Sequence, residues 1–90
     1  MSAGGSVQVT LKLYASLADH LPPDARRSHR LELEIPAGTT IADVIRQQNL
    51  PPKLCHLVLV NGFFIPPADR STRALASNDE LAIWPPIAGG

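Results

Sequence analysis

The residues best suited to chemistry are the last two, Gly89 and Gly90, because a terminal carboxylate carried on a diglycine has no side chain in its way. Such a carboxylate can enter a slot too narrow for any residue with a Cβ, and both glycines reach φ/ψ values closed to other residues. A carboxylate is nonetheless a poor acyl donor, since its leaving group would be oxide. Acyl chemistry at Gly90 therefore requires prior activation. The segment leading to it is Trp84-Pro85-Pro86-Ile87-Ala88, in which two prolines fix φ near the polyproline value and hold the end off the body. The six residues from Pro85 onward span roughly 20 Å when extended, enough to reach a partner's active site while the folded part stays outside.

Other candidate chemistry is thinner. Cys55 and His56, if in a strand, point to opposite faces, and no third residue orients the imidazole, so Cys55 reads as a structural or half-buried thiol. His20 and His29 lie in loop-like surroundings and read as solvated. The chain contains no P-loop, no G-x-S-x-G and no Cys/His spacing suited to zinc. We expect no independent active site, no metal and no bound cofactor.

Ninety residues make one small domain, of which somewhat over ~60% of the unfolded surface can be hidden. Eight basic residues balance eight acidic ones, so no net field attracts nucleic acid or an anionic membrane. The one basic run, Arg26-Arg27-Ser28-His29-Arg30, reads as a solvated loop rim. No apolar stretch approaches ~18 residues and the N-terminus lacks the regions of a signal peptide. With a single cysteine, the expected location is the cytoplasm.

The elements that must position the tail follow from periodicity. Residues 7–14 alternate, with Val7, Val9, Leu11 and Leu13 on one face, and Leu31, Leu33 and Ile35 repeat the pattern. Between them, residues 15–21 read as a short helix or turn ended by Pro22-Pro23. Thr40 three residues before Asp43 approximates a capping box, and Ile41, Val44, Ile45 and Gln48 give the apolar stripe of a helix that Asn49 and Pro51 stop. Residues 57–60 are an apolar strand, and Asn61-Gly62 predicts a type I′ turn into Phe63-Phe64-Ile65. After a turn at Ser77-Asn78-Asp79, residues 81–84 form the last strand. The result is an α+β sheet of four to five strands with one helix on one face. Residues 1–6 are expected to be disordered, 7–84 to form the domain and 85–90 the extended tail. Phe63, Phe64 and Trp84 cannot all face the helix, so an aromatic patch including Phe64 and Trp84 is an interface candidate, with Arg70 and Arg73 as its polar rim.

Together the opening strand through Leu17, the Thr39-Thr40-Ile41-Ala42-Asp43-Val44-Ile45 segment, Val60-Asn61-Gly62, Asn78-Asp79-Glu80-Leu81 and the terminal Pro85-Pro86-Ile87-Ala88-Gly89-Gly90 resemble the ubiquitin-like β-grasp sulfur carriers of the MoaD and ThiS family. The resemblance covers residues 7–90; its most specific part is the terminal hexapeptide. It implies a β-grasp whose first and last strands are parallel neighbours at the sheet centre. It further implies adenylation of Gly90 by a MoeB/ThiF-like partner using that partner's ATP, then conversion to a thiocarboxylate. Residues 85–89 would thread the partner. The length, with an insertion at residues 21–30, is closer to the molybdopterin-type subunit, which implies a MoaE-like large subunit as sulfur acceptor. A ThiS-like carrier for the thiamine thiazole and a modifier conjugated to lysines are the alternatives.

Overall fold

The computed structural model describes residues 5–86. The strand β1 (Ser6–Leu13) pairs antiparallel with β2 (Arg30–Pro36), from Ser6 opposite Pro36 to Lys12 opposite Arg30. Ser6 therefore belongs to the sheet and not to a disordered leader, and Gly5 accepts a hydrogen bond from Ala37 N–H at 3.1 Å. Backbone pairing needs no side chain, which is why small polar residues could join the ladder.

The helix α1 (Ile41–Gln47) starts as its residue types predict. The Thr40 hydroxyl accepts from Asp43 N–H and the Asp43 carboxylate from Thr40 N–H, each at 3.1 Å, so two otherwise orphaned donors are satisfied. Ile41, Val44 and Ile45 are its buried stripe, while Gln48 caps the C-terminal end instead of extending it. Short 3₁₀ turns at Ala15–His20, Pro52–Leu54 and Pro67–Asp69 carry the connections.

The hairpin of β3 (Leu57–Val60) and β4 (Phe63–Phe64) closes on Asn61 and Gly62 at φ of 52° and 86°, the two positive values of a type I′ turn. The last strand, β5 (Glu80–Trp84), lies parallel to β1 and antiparallel to β3, giving the order β2-β1-β5-β3-β4. Parallel neighbours cannot be joined by a tight turn, so the chain between β1 and β5 must cross over. That crossover carries the helix which covers one face. Val9, Leu11, Leu13, Ile35, Val58, Val60, Leu81 and Ile83 face it, and with Ile41, Val44 and Ile45 they form the core. At ~25 cal/mol per Å² this burial is the main stabilising term.

Candidate functional site

Period-two alternation sends the residues between those core positions to the opposite face of the sheet, away from the one α-helix among the described residues. The strand register arranges them in rows. Trp84 lies opposite Leu57 on β3, and Ala82 lies between Lys12 on β1 and Leu59 on β3, with Phe64 opposite Leu59 on β4. Leu57 is 37% exposed and Phe64 54%. Ala82, on the central strand β5, lies outside the main core and is only 7% exposed. Phe63 shares the face of Val60, on the helix side, but the hairpin overhangs its cover and leaves Phe63 74% exposed.

Trp84 is half-buried, and its place is neither core nor bare interface. Its indole stacks on the Tyr14 ring with centroids 4.3 Å apart and planes 5° from parallel. His29 stacks in turn on Tyr14 at 5.5 Å and 15°. His29 is thus half-buried and bonded through Nδ1 to the Leu13 carbonyl at 3.2 Å, a correction to its reading as a solvated loop residue. The neighbouring basic run is likewise partly structural, since Arg26 donates to the carbonyls of Leu21 and Asp19 and so clamps the 3₁₀ turn before it.

A charged edge borders the apolar rows. Glu80 receives Lys12 at 3.3 Å and Arg30 at 3.7 Å. The Lys12 ammonium is held above its ordinary pKa by the Tyr14 hydroxyl and by Glu80.

The exit of the tail is equally defined. The Trp84 carbonyl accepts from His56 N–H at 3.0 Å, and the chain then passes to Pro85, half-buried, and Pro86, exposed. Ile87, Ala88, Gly89 and Gly90 lie outside the described residues.

Arg70 does not rim the aromatic patch with a free guanidinium. It donates to the carbonyls of Cys55 at 2.7 Å and His56 at 3.0 Å, tying the 3₁₀ turn before it to the start of β3. Its own carbonyl accepts from Ala42 N–H, and the Arg73 carbonyl accepts from Ile41 N–H. Both arginines therefore belong to the connection between β4 and β5, whose carbonyls accept from the first N–H groups of the helix. Arg70 lines an apolar groove of about 490 Å³ there with Ala42, Ile45, Leu50 and Cys55. Burial pushes the Cys55 thiol pKa up, against a smaller opposing effect of Arg70, and its Sγ–H donates to the Pro51 carbonyl. A buried, protonated thiol is a poor nucleophile. Among the described residues no group of three His, Cys, Asp or Glu side chains could hold a metal, and no helix is long and apolar enough to cross a membrane.

A five-stranded mixed sheet with parallel central strands, one helix across one face and a strand that runs out into a tail defines a β-grasp, ubiquitin-like domain. The family model described as ThiS matches residues 14–90, and the chain belongs to the ThiS family. Among solved structures, the Haloferax volcanii HVO 2177 protein superposes with a TM-score of 0.72 at 21% identity, covering 100% of this chain and 92% of that one. SAMP1 from Haloferax volcanii gives 0.64 at 24% identity, with 92% and 99% covered. The small archaeal modifier protein 1 of Methanosarcina acetivorans gives 0.63 at 21%, with 97% and 100% covered. At these identities the likenesses show the fold. No curated protein matches in sequence.

Tyr14, Leu57 and Leu59 were not among the residues that the sequence singles out, and His29 was singled out only as a solvated side chain. Once β1 and β5 are taken as parallel neighbours, the alternation that puts Leu13 beside Ile83 also puts Tyr14 beside Trp84. That signal was present for Tyr14; for His29 there was none.

Proposed function

We propose that this chain is a sulfur carrier whose Gly90 carboxylate is adenylated by a MoeB/ThiF-like partner and converted to a thiocarboxylate. The carboxylate oxygen attacks the α-phosphorus of the partner's ATP and pyrophosphate leaves. Sulfide then adds to the acyl carbon and AMP departs with the former carboxylate oxygen, so one oxygen of Gly90 has been exchanged for sulfur. The observation that carries this reading is the continuity of the open apolar face with the tail exit. Trp84 belongs to both, so a partner docked over Leu57, Leu59 and Phe64 lies beside the segment that starts at Pro85. The finer reading is a MoaD-like small subunit delivering sulfur to a molybdopterin precursor on a MoaE-like large subunit. A ThiS-like role in thiazole formation uses the same chemistry, and the family match supports it equally.

The second reading is a modifier captured by lysines. It is favoured by the fold likeness to the small archaeal modifier proteins. Purification of the full chain with its endogenous partners, followed by intact mass, separates the two. The carrier shows exchange of one oxygen for sulfur, and the modifier leaves Gly-Gly remnants on lysines of other proteins. One residue added after Gly90 moves the carboxylate by ~3.8 Å and should abolish ATP-dependent activation while leaving the thermal midpoint unchanged. Normal pyrophosphate exchange by that variant would sink both readings.

A further inference from the structure

The two borders of the sheet are built differently. One is β4, two residues long and followed closely by Pro66 and Pro67, which cannot donate to a further strand. The other is β2, seven residues long, with no lysine, no break in its register and no proline before its last position. It lacks the usual protections of an edge. Leu13 N–H donates to the His29 carbonyl and Ala37 N–H to that of Gly5, so the hydrogen-bonded pairs of the β1–β2 ladder fall on odd-numbered residues. Leu31, Leu33 and Ile35 therefore aim their N–H and C=O groups at β1, whereas Arg30, Glu32 and Glu34 aim theirs outward. Among the described residues, those outward groups have no hydrogen-bond partner. Side chains add to this edge. Leu31 and Leu33 are half-buried on the helix side, and Glu32 and Glu34 are exposed on the other. The Glu32 carboxylate accepts from the Thr10 hydroxyl and that of Glu34 from the Ser6 hydroxyl, yet neither forms an ion pair among the described residues. Arg30 is loosely held, 3.7 Å from the Glu80 carboxylate that Lys12 approaches at 3.3 Å.

We propose that β2 is a self-recognition edge, through which two copies of this chain pair antiparallel about a two-fold axis at Glu32 and join their sheets into one. In that register Arg30 of each copy lies opposite Glu34 of the other, on one face, and Leu31 lies opposite Leu33 on the helix side. The outward backbone groups of Arg30, Glu32 and Glu34 then satisfy one another. Charge and length select this register. An axis at Leu33 would set Glu32 against Glu34 twice, and an axis at Leu31 would shorten the overlap to residues 30–32, because His29 at φ 61° leaves the extended conformation. At the chosen axis Glu32 faces its own copy, one like-charge contact against two opposite-charge ones. Residues 30–34 of two copies bury less than the ~1,000 Å² of a stable interface, so the pairing is weak and depends on concentration. Because β1 stands between this edge and β5, pairing leaves Leu57, Leu59 and Phe64 uncovered in both copies. The proposal is independent of the carrier and modifier readings.

The test is sedimentation equilibrium of the full chain beside Arg30→Glu, Glu34→Arg, the double variant carrying both, and Glu32→Gln, with thermal midpoints taken on dilute samples. The weight-average mass of the parent should climb towards that of a dimer as concentration rises to about 1 mM. Each single charge reversal makes two opposite-charge pairs repulsive and should weaken association at least about tenfold. The double variant should recover association to near the parent value, which a damaged fold could not do, since it carries both substitutions. Glu32→Gln removes the like-charge contact and should tighten association by about threefold. A parent that stays monomeric throughout leaves the edge to a strand of another protein and overturns the proposal. A dimer insensitive to the reversals, or a double variant as weak as the single ones, overturns it as well, by placing the contact in another register or on another surface.

Discussion

Single positions show how much of this domain rests on backbone conformation. At Gly62, with φ of 86°, no heavy atom lies within 4 Å of where a Cβ would stand, so Gly62→Val meets no clash and the loss comes from the torsion alone. We expect a loss of about 1–2 kcal/mol, read as a lower urea midpoint at unchanged slope. Ala15 presents the converse case. Its φ of 53° disfavours an L-residue, so Ala15→Gly should relieve about 1–2 kcal/mol of strain against an unfolded-state entropy penalty of about 0.5–1. The net expectation is a rise in thermal midpoint of about 2–6 °C for a domain of this size. A fall would mean that Ala15 makes contacts the glycine loses. The two positions differ in legibility. Asn61-Gly62 announces its turn by residue type, while nothing local marks Ala15 for positive φ; it follows directly on Tyr14, whose N–H donates to the Ile83 carbonyl of β5.

The elements are held by reciprocal polar contacts at their ends, and these carry the pH dependence. Asp43 is held below its ordinary pKa by the Thr40 N–H, then by Arg46 and by the Thr40 hydroxyl. A depressed carboxylate pKa means the unfolded chain binds the proton first. The contribution of Asp43 is therefore complete above its unfolded value, near 3.9, and is lost as pH falls through the folded value. Asp43→Asn should accordingly flatten the acid limb of a thermal-midpoint profile taken from pH 6 downward; an unchanged acid limb would count against the capping box. The hairpin has an analogous lock. The Asn61 amide donates to Asp79 and accepts from Glu80 N–H, each at 2.9 Å, so the turn residue also fixes where β5 begins. Thr40 and Asp43 could be read as a cap because both lie within one turn. The second role of Asn61 could not, because its partners are 18 and 19 residues away.

For the whole molecule, the division of the sheet into a covered and an open face separates stability from recognition. Phe64→Ser removes apolar area from the open face at a site already half in water, so the thermal midpoint should stay nearly constant while capture of the adenylating partner weakens. Equal partner capture by parent and variant would place the docking surface elsewhere. A parallel loss of midpoint and capture would show that Phe64 serves the fold instead.

What the sequence determined by itself was everything governed by neighbours along the chain: strand alternation, the cap at Thr40, the turn at Asn61-Gly62, and a terminus whose residues lack side chains. Those features depend on torsions and hydrogen bonds spanning a few residues. The tertiary structure decided which face of each strand meets which partner. It joined His29, Tyr14 and Trp84 in one stack and took Arg70 from the aromatic rim to the carbonyls of Cys55 and His56. The stacking of Trp84 on Tyr14 follows from the parallel placement of β5 against β1, a contact between segments some seventy residues apart whose free energy appears only once the core between them has closed.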